Sequence, residues 1–304
     1  MNLYSLLAVL LLTVITTNAQ VRVSRSWFTD IGRRASPQGA IASLTGGAEV
    51  FRSTGSLQNE QAWQIRMHAV AEPYRFTDST SAIQWTTSLS LHHELTASPY
   101  STIGFNPRTA RWEEQVRVHM SAPSYSLNAG WVHRCKHDID NLEGPRDGAT
   151  IVLVPEQRTV ILTGPTLGAA TAPFSMIGGT GILAASTEWY VVSEDYRRPT
   201  SKNTGLLSDV TGAVQLRGEW SIPLSAVLAI RSTLWTSIPW FAARHGAPNN
   251  GVPFDARAEL ALSVNGAAAR MDVAIAIERQ FDELVFLTGL PTSLIQFGVR
   301  FAPR

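Results

Sequence analysis

Val210-Thr211-Gly212-Ala213-Val214-Gln215-Leu216-Arg217-Gly218-Glu219-Trp220-Ser221-Ile222 is written in two-residue alternation. Val210, Val214, Leu216, Trp220 and Ile222 share one parity; Thr211, Gln215, Arg217, Glu219 and Ser221 share the other. Successive side chains of a strand point to opposite faces, so the stretch predicts a strand with one apolar and one polar side. The pattern returns in Phe254, Ala256, Ala258, Leu260, Leu262 and Val264 against Asp255, Arg257, Glu259, Ser263 and Asn265. It recurs from near residue 40 to the end of the chain.

Turn chemistry divides the alternation into about twelve strands, near residues 40–52, 61–75, 81–95, 109–120, 125–137, 157–163, 180–193, 208–222, 225–240, 253–265, 267–282 and 294–302. Short connections (76–80, 122–124, 223–224 and an Asn265-Gly266 hairpin turn) alternate with longer ones (96–108, 138–156, 194–207, 241–252 and 283–293). This asymmetry predicts an all-β, transmembrane, antiparallel up-and-down β-barrel with both ends on the short-turn side. The segment 164–179 breaks the rule: either it is an inserted loop, or the count is off by one pair of strands. Trp63, Trp112, Trp131, Trp240 and Phe254 fall near outer strand ends, and Phe76, Trp85, Tyr125, Trp220 and Phe301 near inner ends. Two aromatic levels are what membrane interfaces select.

The composition agrees. Of the 304 residues 44% are hydrophobic and 16% charged, and there are 9 Trp. That is apolar for a secreted soluble chain and ordinary for a barrel with lipid outside. The net charge of +1 gives no reason to expect nucleic acid as a partner. The run 6–15, followed by Thr17 and Ala19, has the form of a signal peptide cleaved after residue 19. Residues 20–39 are then a periplasmic segment and 40–304 the barrel. The single cysteine, Cys135, makes an internal disulfide impossible.

The last strand, Leu294-Ile295-Gln296-Phe297-Gly298-Val299-Arg300-Phe301, alternates and ends on an aromatic residue. It resembles the closing strand of Gram-negative outer-membrane proteins, with Ala302-Pro303-Arg304 following where that group ends on the aromatic. The resemblance implies residence in the outer membrane, contact with its lipids and lipopolysaccharide, and passage through the barrel-assembly machinery.

Chemistry-bearing residues gather at the outer ends of three successive strands: His92, His93 and Glu94; Arg111, Glu113 and Glu114; His133, Arg134, Cys135, Lys136, His137 and Asp138. Parity sets Glu114, His133 and Cys135 on the outer wall. A carboxylate, an imidazole and a nucleophile on neighbouring strands is the arrangement of acyl transfer. His133-Arg134-Cys135 resembles the His-x-Ser pair of outer-membrane phospholipase A and a lipid A deacylase, with Cys replacing Ser. That resemblance implies an acyl hydrolase of outer-leaflet lipid, with Cys135, His133 and Glu114 as its catalytic set. The competing reading gives the same residues a rim or packing role.

His133 and His137 stand ~13 Å apart on a regular strand and cannot share an ion without a bulge, for which Gly130 is the candidate. No metal site or cofactor is assigned. The inward parity holds Gln64, Arg66, Gln115, Arg117, Arg217, Arg257, Glu259, Asp272 and Glu278, a polar lumen that suits a small pore or a hydrogen-bonded plug. The leading expectation is therefore an outer-membrane barrel with a structural or small-pore role of unspecified solute. The lipid hydrolase is the first alternative, and a secreted soluble β-sandwich the second.

Overall fold

The alternating segments pair into one sheet that closes on itself. The computed structural model describes residues 43–55, 61–77, 83–99, 104–138, 142–143, 152–153, 158–197, 202–203, 206–242, 254–280 and 292–303. The expected signal peptide and the segment 20–39 lie outside them. Twelve long strands form the wall. They are β1 (Ser43–Gly55), β2 (Trp63–Thr77), β3 (Gln84–Ser98), β4 (Asn106–Ser121), β5 (Tyr125–Asp138) and β6 (Arg158–Thr171). Then follow β7, in two pieces (Gly179–Trp189 and Val192–Arg197), β8 (Val210–Pro223), β9 (Leu228–Phe241), β10 (Asp255–Asn265), β11 (Ala269–Gln280) and β12 (Thr292–Pro303). Each pairs antiparallel with its chain neighbours, and β12 returns to β1 in a register running from Ala48↔Phe301 to Gly55↔Leu294. One closed sheet excludes the soluble β-sandwich, which needs two.

The outer wall is apolar over its whole circumference. Val50, Leu89, Val116, Leu127, Leu167, Leu183, Val214, Leu234, Leu260, Ile275 and Phe297 are all exposed. A soluble monomer rarely shows contiguous apolar patches beyond a few hundred Å², so this belt is built for lipid. The inward parity is buried and polar: Arg66, Gln115, Arg117, Arg217, Arg257, Glu259, Asp272 and Glu278 are at most 8% exposed. The chain thus has the architecture of outer-membrane β-barrels, apolar out and polar in.

Several local expectations are corrected. Residues 164–171 are not an inserted loop; they continue β6, paired with β5 down to Tyr125↔Thr171. Gly164 and Pro165 read as loop formers but are held in the wall, where a Cβ on Gly164 would meet the Trp189 carbonyl oxygen. Only residues 172–178 turn the chain, through a short strand (Phe174–Met176) and Ile177-Gly178, whose φ angles of 34° and 69° are both positive. That pair, rather than Asn265-Gly266, adopts the positive-φ turn: Asn265 still pairs with Arg270, and Gly266 N–H donates to the Ala269 carbonyl at 2.8 Å. Gly130 hosts no bulge, since the β4–β5 register runs unbroken through Arg117↔Gly130.

Bulges occur elsewhere. One between Ala71 and Tyr74 contains Pro73, a residue without the N–H that a regular ladder needs. Another between Val210 and Gly212 turns Val210 inward, against the parity read from sequence. Val210 is 2% exposed and packs with Val160, Leu162 and Leu207 inside the outer mouth. Trp63 and Trp240 lie at outer strand ends and Trp85, Tyr125, Trp220 and Phe301 toward inner ones, whereas Trp131 sits at mid-height on β5.

Wall and lumen respond differently to charge. Leu260→Arg places a guanidinium against lipid and should cost about 2–4 kcal/mol, whereas Thr233→Arg, paired in register with Glu219 and Glu259, should cost much less. Urea unfolding of the folded, heat-modifiable form measures both; equal losses would mean that the facing is wrong.

Candidate functional site

The candidates of β3, β4 and β5 lie side by side, because sequential strands pair: Leu91↔Glu114↔His133↔Thr163 forms one row across β3–β6 and His93↔Trp112↔Cys135↔Ile161 the next row outward. Strand alternation then divides them between two faces. His93, Glu114, His133, Cys135 and His137 belong to the outer wall. His92, Glu94, Arg111, Glu113, Arg134 and Lys136 take the lumenal parity, and the first five are at most 7% exposed. Asp138 closes β5, and its side chain lies outside the described residues, as does Asp140.

On the outer face, His133 is fixed at both ring nitrogens. Nδ1 lies 2.7 Å from Thr163 Oγ1 and Nε2 lies 3.5 Å from Cys135 Sγ. Nucleophile, base and orienting hydroxyl therefore follow in order, with Thr163 in the place expected for Glu114. Thr163 was missed because the sequence ends the sixth strand at that residue and gives no inter-strand register. Glu114 stands opposite His133 in the ladder, yet no ion pair joins them. The thiol is 5% exposed. Trp112, its register partner, stacks on His137 with ring centroids 4.5 Å apart. His137 Nδ1 in turn lies 3.2 Å from Thr159 Oγ1. Among the described residues no group of three His, Cys, Asp or Glu side chains is arranged to hold a metal ion.

On the inner face, arginines and carboxylates form bridges across the lumen. Arg66 on β2 donates to Glu94 on β3 at 2.5 Å, to Glu49 on β1 at 3.1 Å and to Glu278 on β11 at 3.0 Å. Arg257 on β10 donates to Glu278 at 2.5 Å and to Glu259 at 2.9 Å. Arg300 on β12 bonds Glu49 at 2.7 Å and Glu259 at 2.9 Å. Arg111 bonds Glu94 at 2.9 Å and reaches Gln280 on β11 at 3.4 Å, nearly the full width of the barrel. A second knot joins Arg134 to Glu113 at 2.6 Å, to Glu188 at 3.1 Å and to the Tyr190 hydroxyl at 3.0 Å.

Buried charges persist only when paired and hydrogen-bonded, and these are. Beside each knot remains a small space. One of about 40 Å³ is bordered by Arg66, Arg217, Arg231, Arg257 and Arg300. Another of about 60 Å³ is bordered by Arg134, Tyr190, Leu207, Gln215 and Trp235. Each has room for only a few waters.

The covered thiol carries a direct test. Cys135 in detergent-solubilised protein should react slowly with a maleimide, and Trp112→Ala should speed the reaction by roughly an order of magnitude. Rapid labelling of the unaltered protein would show that the sulfur is open.

No family model and no curated protein sequence matches the chain. Among solved structures it is similar to the NanC porin, at 10% identity and a TM-score of 0.41, covering 84% of this chain and 98% of that one. It is similar also to the transport unit of the autotransporter AIDA-I from Escherichia coli, at 8% identity and a TM-score of 0.44 over 91% of this chain and 93% of that one. The translocator domain of the autotransporter NalP from Neisseria meningitidis gives 10% identity and a TM-score of 0.38 over 88% of this chain and 90% of that one. All three are barrels of the outer membrane, and the likeness concerns the fold alone.

Proposed function

We propose that the protein is an outer-membrane barrel that rests with its lumen sealed, admitting at most water and small ions, so that any transport role requires the seal to be displaced. The observation that carries this reading is the span of Arg66, which bridges from β2 to Glu278 on β11 across β1 and β12. An open diffusion pore keeps its charges on the wall; here guanidinium and carboxylate meet in the interior. The balance of Arg with Glu argues against strong ion selectivity if the seal opens. The two described spaces, of about 40 and 60 Å³, are too small for a sugar or peptide.

Conductance tests this. In planar bilayers the unaltered protein should show little current. Arg66→Gln combined with Glu278→Gln, which removes both charges rather than stranding one, should raise the current several-fold while leaving the heat-modifiable gel shift in place. Stable, large channels from the unaltered protein would refute the sealed state.

A second reading, acyl hydrolysis of outer-leaflet lipid, is favoured by the Cys135–His133–Thr163 sequence of contacts alone. In it Cys135 attacks the ester carbonyl while His133 takes the thiol proton and passes it to the leaving alcohol, water then cleaves the thioester to free the fatty acid, and Thr163 holds the imidazole throughout. Cys135 is buried, so the wall around it would have to open for substrate to reach sulfur. Fatty-acid release from phospholipid or lipid A, lost in both Cys135→Ala and His133→Ala, would establish it. Absence of release, or full activity in Cys135→Ala, would remove it.

A further inference from the structure

We infer that the outer wall over β2–β5 carries a seat for one phospholipid with a primary-amine headgroup, whose acyl chain lies in a groove along the wall and whose ammonium meets Glu114. The inference rests on the membrane reading of the barrel and is separate from the state of the lumen. The groove has a volume of about 490 Å³ and is lined chiefly by Ala69, Ala71, Leu89, Leu91, Val116 and Trp131, with Glu114 and His133 at its outer end. Two alanines lower the wall where its neighbours carry larger side chains, so this stretch is indented and apolar along its length. It opens outward, toward lipid, which makes a hydrocarbon chain the natural occupant.

The charge at its end selects the headgroup. Glu114 is an exposed carboxylate on the lipid-facing parity. No cation among the described residues forms an ion pair with it. The nearest candidate, His133 in the same register row, is committed through Nδ1 to Thr163 and through Nε2 to Cys135. An ionisable group on a lipid-facing surface is costly unless something neutralises it or draws it to the interface. Glu114 is the ninth of the sixteen residues of β4 and lies two residues below Trp112, ~5 Å along the axis of a tilted barrel strand. A headgroup ammonium descending from the interface can reach that depth. A primary ammonium offers three N–H donors to the carboxylate, a quaternary one offers none, and an anionic headgroup is repelled.

The full chain, reconstituted in nanodiscs of equal parts phosphatidylethanolamine, phosphatidylcholine and phosphatidylglycerol, is released and examined by native mass spectrometry for retained lipid. The unaltered protein should retain phosphatidylethanolamine over each of the others by roughly ten-fold. Glu114→Gln should erase the headgroup preference while leaving a lipid bound, and Ala69→Trp, which fills the groove, should lose the lipid altogether. No preference in the unaltered protein, or a preference that survives Glu114→Gln, would overturn the assignment. Failure to enter nanodiscs of any composition would overturn the membrane reading and the lipid seat with it.

Discussion

Closure of the sheet between β1 and β12 is the constraint from which the rest follows. In hydrocarbon an unpaired backbone N–H or C=O costs several kcal/mol, so a membrane-spanning sheet cannot keep an edge. The ladder from Ala48↔Phe301 to Gly55↔Leu294 removes it. Once the sheet is closed, alternation has only two destinations, lipid and lumen, and every long side chain must accept one of them. The seam is fitted closely: Phe51 is wholly buried inside the barrel against Gly298, where a Cβ would come within 2.6 Å of its ring. Arg257 lies over the same ring with its guanidinium carbon 4.7 Å from the centroid.

With both faces assigned, the lumen becomes a problem of pairing charges. Barrels of about this size have an interior between one filled by side chains and one that conducts. Here long arginines reach inward and find carboxylates on distant strands. Such a filling contributes little net stability over a greasy core, yet removing one partner leaves a charge stranded. That combination makes the interior specific in its arrangement. On the outer wall, Glu114 and His133 stand among Leu91, Val116 and Trp131 beside a groove of about 490 Å³.

Much of this was legible in the sequence, because a strand's period is short and a barrel uses it everywhere. The strand count, the facing of Leu260 and Arg257 and the adjacency of β3, β4 and β5 all follow from alternation and loop length. What escaped reading had a local cause. Gly164 and Pro165 imitate a loop, so the end of β6 was cut short. The bulge beside Gly212 reverses Val210, and no periodic pattern announces a single inserted residue. The site was legible to the extent that parity decides it: Glu114, His133 and Cys135 could be set on one wall. The partner of His133 could not, since Thr163 is brought there by inter-strand register. Nor could the burial of Cys135 or the stacking of its register partner Trp112 on His137. The five inward members of the supposed rim cluster belong to the lumen for the same reason that Leu260 belongs to the lipid.

The seam has one further consequence. Glu49 lies near the start of the barrel and Arg300 near its end, 2.7 Å apart across the joining strands. Glu259 on β10 also draws on Arg300, so the last strand to be made supplies the counter-charge to carboxylates on two others. A chain that stopped before β12 would lose an edge pairing and would also leave those acids facing a dry interior with a cation missing. Completeness of the polypeptide is thereby written into the electrostatics of the fold: the first strand carries a charge that only the last one finishes neutralising.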